Sequence, residues 1–359
     1  MKYNRFCYLL PGLALCCWVF FSCSRSDENA LQTILIPKKI DQELQLEQLT
    51  KSIKLIQLET NDRSLLSGVL DIKMFNEKIY VSDASRRILI FNQDGKFVKV
   101  LGKRGEGPGE YDFFPHMTID EESNLLYVAS ARKLYVYSKE DELLLENALS
   151  FNVNAFSVLE DKLFVLRQEL SIPQEEGFLN RASFYEINKS LDVVDTIPVR
   201  EVKLKSGSAS DFPIKNYFST VGPDHFVYVP DFGSQILLHD TLYQFKDKIL
   251  TPFLKMNFET IQTLDKSGIK KIQIHNVINS KSFLFCEYYS DGNYLLFVYE
   301  KESAIGYNLQ KGVLDGNGNP VVLRPLDLGR DIFYFVHQSE YSDSETEEQN
   351  PTIGIVQLK

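Results

Sequence analysis

Cysteine is almost missing from the body of this chain. Four of the five, Cys7, Cys16, Cys17 and Cys23, fall within the first 23 residues, and Cys286 stands alone beyond them. That excludes a disulfide framework of the kind that staples small exported domains. A chain of 359 residues buries enough surface to fold without one. Cys286 lies in the apolar run Phe283-Leu284-Phe285-Cys286, the setting of an inert buried thiol. Histidine is scarce too. His116, His225, His239, His275 and His337 show no H-x-x-x-H or related metal spacing, and no G-x-S-x-G elbow occurs. No catalytic residue, metal site or cofactor is therefore assigned. Positive charge is in deficit, with 39 basic against 49 acidic residues. Nucleic acid, which needs cationic patches against phosphate, is an unsuitable partner. Long helical periodicity is absent, and residues 41–52 and 257–267 are the two places where a short helix is expected.

The N-terminus reads as an export signal. Lys2 and Arg5 precede an apolar stretch from Phe6 to Phe21, interrupted by Pro11 and Gly12. It is shorter than the roughly 20 apolar residues a membrane span needs, and it stops at a cleavage-like site, so a signal peptide over 1–22 is expected. Phe20-Phe21-Ser22-Cys23 resembles a lipobox, with Phe20 where leucine is usual, which makes Cys23 the expected lipidation site. Removal of residues 1–22 takes Lys2 and Arg5 with it and leaves 37 basic and 49 acidic residues, a net charge of −12. The membrane is then a partner through the lipid and not through charge. Residues 23–52 are expected to be a lipidated tether and lead-in. Within them Ser26-Asp27-Glu28 reads either as solvated linker or as a weak form of the acidic surface-export signal of Bacteroides-type lipoproteins. The expected address is the outer membrane, periplasmic or surface-exposed.

From about residue 53 the chain is strand after strand. β-branched and aromatic runs alternate with Asp, Asn, Gly and Lys turns, the hairpin signal. One unit spans Gly68 to Gly102: Val69–Phe75, Ile79–Asp83, Ile88–Asn92 and Phe97–Leu101, with Asp94-Gly95 a strong hairpin turn. Four short antiparallel strands per unit make a propeller blade. Similar units follow at 113–149, 153–199, 214–254 and 272–310. The last unit, with Asp331–Val336 and Ile353–Leu358, lacks a fourth strand, and Ile53–Leu58 is spare. Pairing the two would satisfy both edges. The expected fold is all-β: a six-bladed β-propeller of four-stranded antiparallel blades over 53–359, its ring closed by the N-terminal strand. Five or seven blades are the alternatives.

Two motifs carry a family resemblance. Phe91-Asn92-Gln93-Asp94-Gly95-Lys96-Phe97 is followed by the run Gly102-Lys103-Arg104-Gly105-Glu106-Gly107-Pro108-Gly109-Glu110-Tyr111. Together with the Asn350-Pro351 lead into the terminal strand, these resemble the six-bladed β-propeller lipoproteins of Bacteroides and its relatives, distant kin of the NHL-repeat propellers. The resemblance implies fold and address more than chemistry.

In such a blade the loop between second and third strands and the connection to the next blade share one face, where ligand sites open. Arg86, Arg87, Arg104, Glu110, Tyr111 and Arg132 are placed there as candidate ligand-binding residues, with Lys103 and His116 nearby. The Gly105–Gly109 run reads as an anion nest or as a tight turn. The same face is expected to carry a long loop at Ser171–Ala182, a linker at Arg200–Phe212 and the acidic loop Ser339–Asn350, a solvated charge run, a calcium site or a lid. Asp315-Gly316-Asn317-Gly318-Asn319-Pro320 is a turn and not a calcium loop, since Pro320 and Leu326 stand where glycine and glutamate are needed. The expected role is binding of a glycan, peptide or protein partner with an acidic group. The alternative is an NHL-like lyase or hydrolase whose histidines and carboxylates converge on the central funnel.

Overall fold

The computed structural model describes Met1 and residues 31–359 except 42, 208–215, 234, 267 and 338–348. The expected signal peptide, Cys23, the Ser26–Glu28 segment and nearly all of the acidic loop lie outside the described residues.

The strand signals of the sequence become short strands joined by tight turns. The chain begins with β1 (Gln32–Ile36), β2 (Leu44–Gln45), the single turn of α1 (Leu46–Leu49) and β3 (Thr50–Gln57). A first sheet follows, β4 (Val69–Phe75), β5 (Lys78–Asp83), β6 (Arg87–Asn92) and β7 (Phe97–Gly102). The second is β8 (His116–Asp120), β9 (Leu125–Ser130), β10 (Lys133–Tyr137) and β11 (Leu143–Ala148). The third is β12 (Ala155–Leu159), β13 (Lys162–Pro173), β14 (Phe178–Ile187) and β15 (Val193–Leu204). The fourth is β16 (Phe218–Val221), β17 (Asp224–Val227), β18 (Thr241–Lys246) and β19 (Ile249–Phe258), and the fifth β20 (Ile272–Asn279), β21 (Phe283–Ser290), β22 (Asn293–Glu300) and β23 (Ile305–Leu309). A small hairpin, β24 (Val313–Leu314) and β25 (Pro320–Val321), leads to the sixth sheet. That sheet is β26 (Arg324–Asp327), β27 (Ile332–His337), β28 (Thr352–Leu358) and, as its fourth strand, β3. The antiparallel register Ile353↔Ile56 and Ile355↔Lys54 joins the two ends of the domain.

The turns have local causes. Asn76-Glu77, Glu160-Asp161 and Asp247-Lys248 all adopt positive φ at both positions, the twist that two-residue hairpins require. At the β6–β7 turn the Asn92 carboxamide accepts from Asp94 N at 3.0 Å and Lys96 N at 2.9 Å. Gly95 there has φ +80°, and a Cβ would lie 2.1 Å from the carbonyl oxygen of Gln57, so only glycine fits this turn against β3.

In the first sheet the second and third strands are buried on both faces, as Ile79-Tyr80-Val81 and Ile88-Leu89-Ile90-Phe91 show. Their near-continuous apolar runs follow from packing between neighbouring sheets. Among the described residues six apolar clusters fill these gaps. One joins Phe75, Tyr80 and Ile90 to Met117, Val128 and Tyr135. Others join the second sheet to the third, the third to the fourth, the fourth to the fifth and the fifth to the sixth. The remaining one joins Ile56, Tyr334 and Ile353 of the sixth sheet to Ile72, Ile79 and Leu89 of the first. First strands are neighbours, β4 beside β8, β8 beside β12, β16 beside β20, and β26 beside β4. The architecture is all-β and propeller-like, built from antiparallel sheets of four strands. Among the described residues no helix is long and apolar enough to cross a membrane.

Several expectations are corrected. Residues 32–52 are not tether: β1 adds in parallel to the outer strand β19, β2 pairs with β24, and Ile34, Ile36, Leu44, Leu46 and Leu49 are buried. The compact unit begins at Gln32. Among the described residues, helix in 41–52 is confined to Leu46–Leu49, and none occurs in 257–267, which holds the end of β19 and Leu264 of a bridge to Lys270. Ser171–Ala182 is not a long loop, because β13 and β14 run on to a tight turn at 174–177. Arg200–Leu204 belongs to β15 and is not linker. Asp315 makes the expected turn, its carboxylate accepting from Asn317 N and Asn319 N. Cys286 is fully buried in β21, and burial pushes its thiol well above the usual range.

Candidate functional site

Each first strand enters its sheet from the same end, the end where the second-to-third-strand turns and the connections between sheets lie. Contacts across this loop face bear that out: Asp83 accepts from Ser67 N, Arg86 reaches Asp112 O, and Asp231 pairs with Lys270. The starts of five first strands converge on one cavity of about 150 Å³. It is bordered by Asp71 and Lys73 of β4, His116 and Thr118 of β8, and Ser157 of β12 with the preceding Asn154. Asn216, Tyr217 and Phe218 enter from the fourth sheet, and Arg324 with Tyr334 from the sixth.

The charges in this cavity are matched in pairs. Lys73 lies 3.3 Å from Asp71. Arg324 is bound to the nearly buried Glu287, which also accepts from Asn276 Nδ2 at 2.7 Å. Asn276 in turn accepts from Asn216 N at 2.9 Å, so a chain of polar contacts fixes the wall between the fourth, fifth and sixth sheets. Asn154 is oriented by Gln168 N at 2.8 Å. The Tyr334 hydroxyl accepts from Ile72 N, and burial raises its pKa far above the tyrosine range. The result is a polar, charge-balanced cavity edged by aromatic rings. Ligand pockets for whole small molecules start near ~300 Å³, so a cavity of about 150 Å³ suits one protruding group. His116 is the one histidine among its described lining residues. No grouping of three or more His, Cys, Asp or Glu suited to a metal occurs among the described residues.

Of the residues named from sequence, His116 lines this cavity, while the six candidate ligand-binding residues lie on the loop face outside its lining. Arg87 is anchored to Asp83 at 2.8 Å, to Ser85 Oγ and to the carbonyl of Leu65. Arg86 has φ +64°, donates to Asp112 O at 2.9 Å and lies over the ring of Phe114. Glu110 turns back on its own loop, accepting from Gly107 N at 3.0 Å with Lys103 at 3.4 Å, and these contacts hold its carboxyl below the usual range. The glycine run is thus closed by its own glutamate. Tyr111 is fully buried, its hydroxyl 3.0 Å from that of Tyr137, and its ring occupies the space a Cβ on Gly102 would need. Arg104 is exposed and bridges backbone to backbone with Tyr111. Arg132, exposed, edges a separate groove of about 330 Å³ with Phe151, Asn152, Arg167 and Gln168. Asp71, Lys73, Asn154, Asn216 and Arg324 were not singled out. They lie on or just before four different first strands, and no spacing in the chain links those strands.

A second polar cluster lies between the third and fourth sheets. Asp231 and Lys270 pair at 3.0 Å with both side chains 2% exposed. Arg200 donates to the carbonyls of Val229 at 2.6 Å and Pro230 at 2.8 Å. Burial opposes ionisation of Asp231, but Lys270 and Arg200 prevail and pull it down to about 2. Burial, helped by Arg200, depresses His239 to about 4.

The chain belongs to the family described as a domain of unknown function (DUF4934), which matches residues 31–358. No curated protein matches it. A crystal structure of a "putative exported protein" from Bacteroides fragilis NCTC 9343 has a TM-score of 0.68 at 19% identity, covering 91% of this chain and 100% of that one. The likeness is one of fold. The WD40 repeats of RRP9 give a TM-score of 0.43 at 10% identity, over 87% of this chain and 99% of that one.

Proposed function

We propose that this protein is an exported lipoprotein of the outer membrane, anchored at Cys23, whose six-bladed β-propeller binds a glycan, peptide or protein partner on its loop face. In this reading the ring is closed by β3, and the six inter-sheet clusters, the last of them between the sixth and first sheets, support that closure. The observation that carries the functional reading is the axial cavity. Five sheets contribute residues at or near the starts of their first strands, and beside the apolar Leu70, Met117, Phe156 and Phe218 its lining presents Asn, Ser, Thr, Tyr, paired charges and a single described histidine. A site that gathers hydrogen-bonding groups and self-paired charges around a single described histidine favours binding over hydrolysis or elimination.

The test is a thermal-shift screen of acidic and neutral oligosaccharides and peptides on the full chain in detergent. Ser157→Trp fills the cavity from a half-buried position on β12. A stabilising compound should be recovered unchanged, and its effect should vanish in the variant. A compound that stabilises the variant equally, or is recovered as products, overturns the reading.

A further inference from the structure

The loop face holds more charge than the axial cavity uses. The third sheet is its tallest part, because β13, β14 and β15 run 12, 10 and 12 residues. Beside it a groove of about 330 Å³ runs between Arg132 and Arg167, and Arg167 lies 5.1 Å over the ring of Phe151. Gln168 edges both this groove and a narrow recess bounded by Asn180, Arg181, Arg200 and Asp231, so the two are neighbours. The recess itself measures about 10 Å³, the width of a single water or oxygen atom.

Charge around the recess does not balance among the described residues. Arg167 pairs with Glu169 and Arg181 with Glu201, both at 2.7 Å on their own hairpins. Asp231 is taken by Lys270. His239 is neutral at pH 7. Among the described residues Arg200 donates to carbonyl oxygens, and no described carboxylate lies within salt-bridge distance of it. A desolvated cation held this way favours an added anion, and a guanidinium grips carboxylate or sulfate through paired donors. Arg132 at the far end of the groove likewise has no described carboxylate partner.

We propose that the groove from Arg132 past Arg167 to Arg200 is a second binding site, which takes an anionic saccharide with one acid oxygen in the recess at Arg200. Ser150, Asn152 and Gln168 present hydrogen-bonding groups suited to hydroxyls along the way. The proposal rests on the reading that the loop face binds ligands, and it names the ligand class. The acid group is a carboxylate or a sulfate.

Calorimetry on the full chain in detergent tests it with trigalacturonate, its methyl ester and a sulfated disaccharide. At least one of the two acidic probes should bind, and loss of one charge-assisted contact, in the ester or in Arg132→Gln, should weaken binding by about tenfold. Arg200→Gln should remove it. Since Arg200 also braces a loop, Arg132→Gln and the ester comparison keep the test valid if that variant misfolds. Equal binding of acid and ester, or unchanged binding in Arg132→Gln, overturns the site. Binding of sodium sulfate as tight as that of the sugars overturns the saccharide assignment. Acidic sugar lost in Ser157→Trp but not in Arg132→Gln places the ligand in the axial cavity, and this inference then fails while the previous reading stands. No saccharide bound at all defeats the site.

Discussion

The carboxamide of Asn350 holds the backbone of Leu66, 284 residues away. Its Oδ1 accepts from Leu66 N at 2.8 Å, and its Nδ2 donates to Glu59 O at 2.7 Å and Ser64 O at 2.9 Å. The side chain is 1% exposed, so it fastens the start of β28 to the connection between β3 and β4. Asn350→Ala would leave the Leu66 N donor and the Ser64 O acceptor without partners in a buried place, while Glu59 O keeps Ser64 Oγ. The expected cost is about 2–4 kcal/mol, read as a lower urea midpoint at unchanged slope. Asn350→Asp should cost nearly as much, because a carboxylate cannot donate to the two carbonyls. A midpoint within error of wild type in both variants would show that the clasp contributes nothing.

The N-terminal segment of the compact unit should matter for stability. Ile34 and Ile36 are 3% and 1% exposed against the fourth sheet, and Asn308 donates to Pro37 O at 2.7 Å. Burying each isoleucine is worth roughly 1.5–3 kcal/mol. Deleting residues 32–45 should therefore lower the melting temperature and bare the edge of β19, which light scattering would report as association. A deletion variant as stable and as monomeric as the parent would return this stretch to the role of tether.

Glu287 and Arg324 form a buried pair, with side chains 6% and 11% exposed. Removing one partner strands the other, so Glu287→Gln and Arg324→Met should each cost about 3–5 kcal/mol. The double variant Glu287→Gln/Arg324→Met should recover most of that loss, because the desolvation cost of both ions disappears with them while Gln keeps an acceptor for Asn276. A double-mutant cycle by denaturant unfolding measures the coupling. Additive losses would mean that the pair does not act as one.

Acid should loosen the domain before its carboxylates titrate. Burial, aided by Arg200 and Lys270, brings His239 from 6.5 to about 4 in the folded state. Between those values the unfolded chain binds the extra proton and the folded one does not, so stability falls as pH falls from about 6.5 to 4. The full drop from this group is about 3 kcal/mol. Burial depresses His225 and His275 as well, with the same sign. Asp231 acts in a lower window, its contribution being lost as pH falls from 3.8 toward 2. His239→Gln should flatten the stability profile between pH 6.5 and 4. An unchanged slope would assign the effect to the other two histidines.

Where the chain pairs with its immediate neighbour, sequence was enough. Period-two and continuous apolar runs, with Asp94-Gly95 and Asn76-Glu77 between them, mark the four-stranded units, because turn chemistry and strand propensity act over a few residues. The spare strand before the first unit and the missing one in the last also pointed to each other, and β3 pairs with β28. What lay beyond local rules was decided by packing between sheets. The glycine run between Gly102 and Tyr111 reads from sequence as an anion nest or as a tight turn, and packing decides: Tyr111 fills the space above Gly102 and Glu110 caps its own turn. Nothing in Gln32–Ile36 announces a parallel partner 222 residues later, because parallel pairing leaves no turn in the sequence. The axial cavity is the extreme case. Asp71, Thr118, Ser157 and Arg324 lie on four different first strands and Asn216 just before a fifth, and only the arrangement of the sheets brings them to one place.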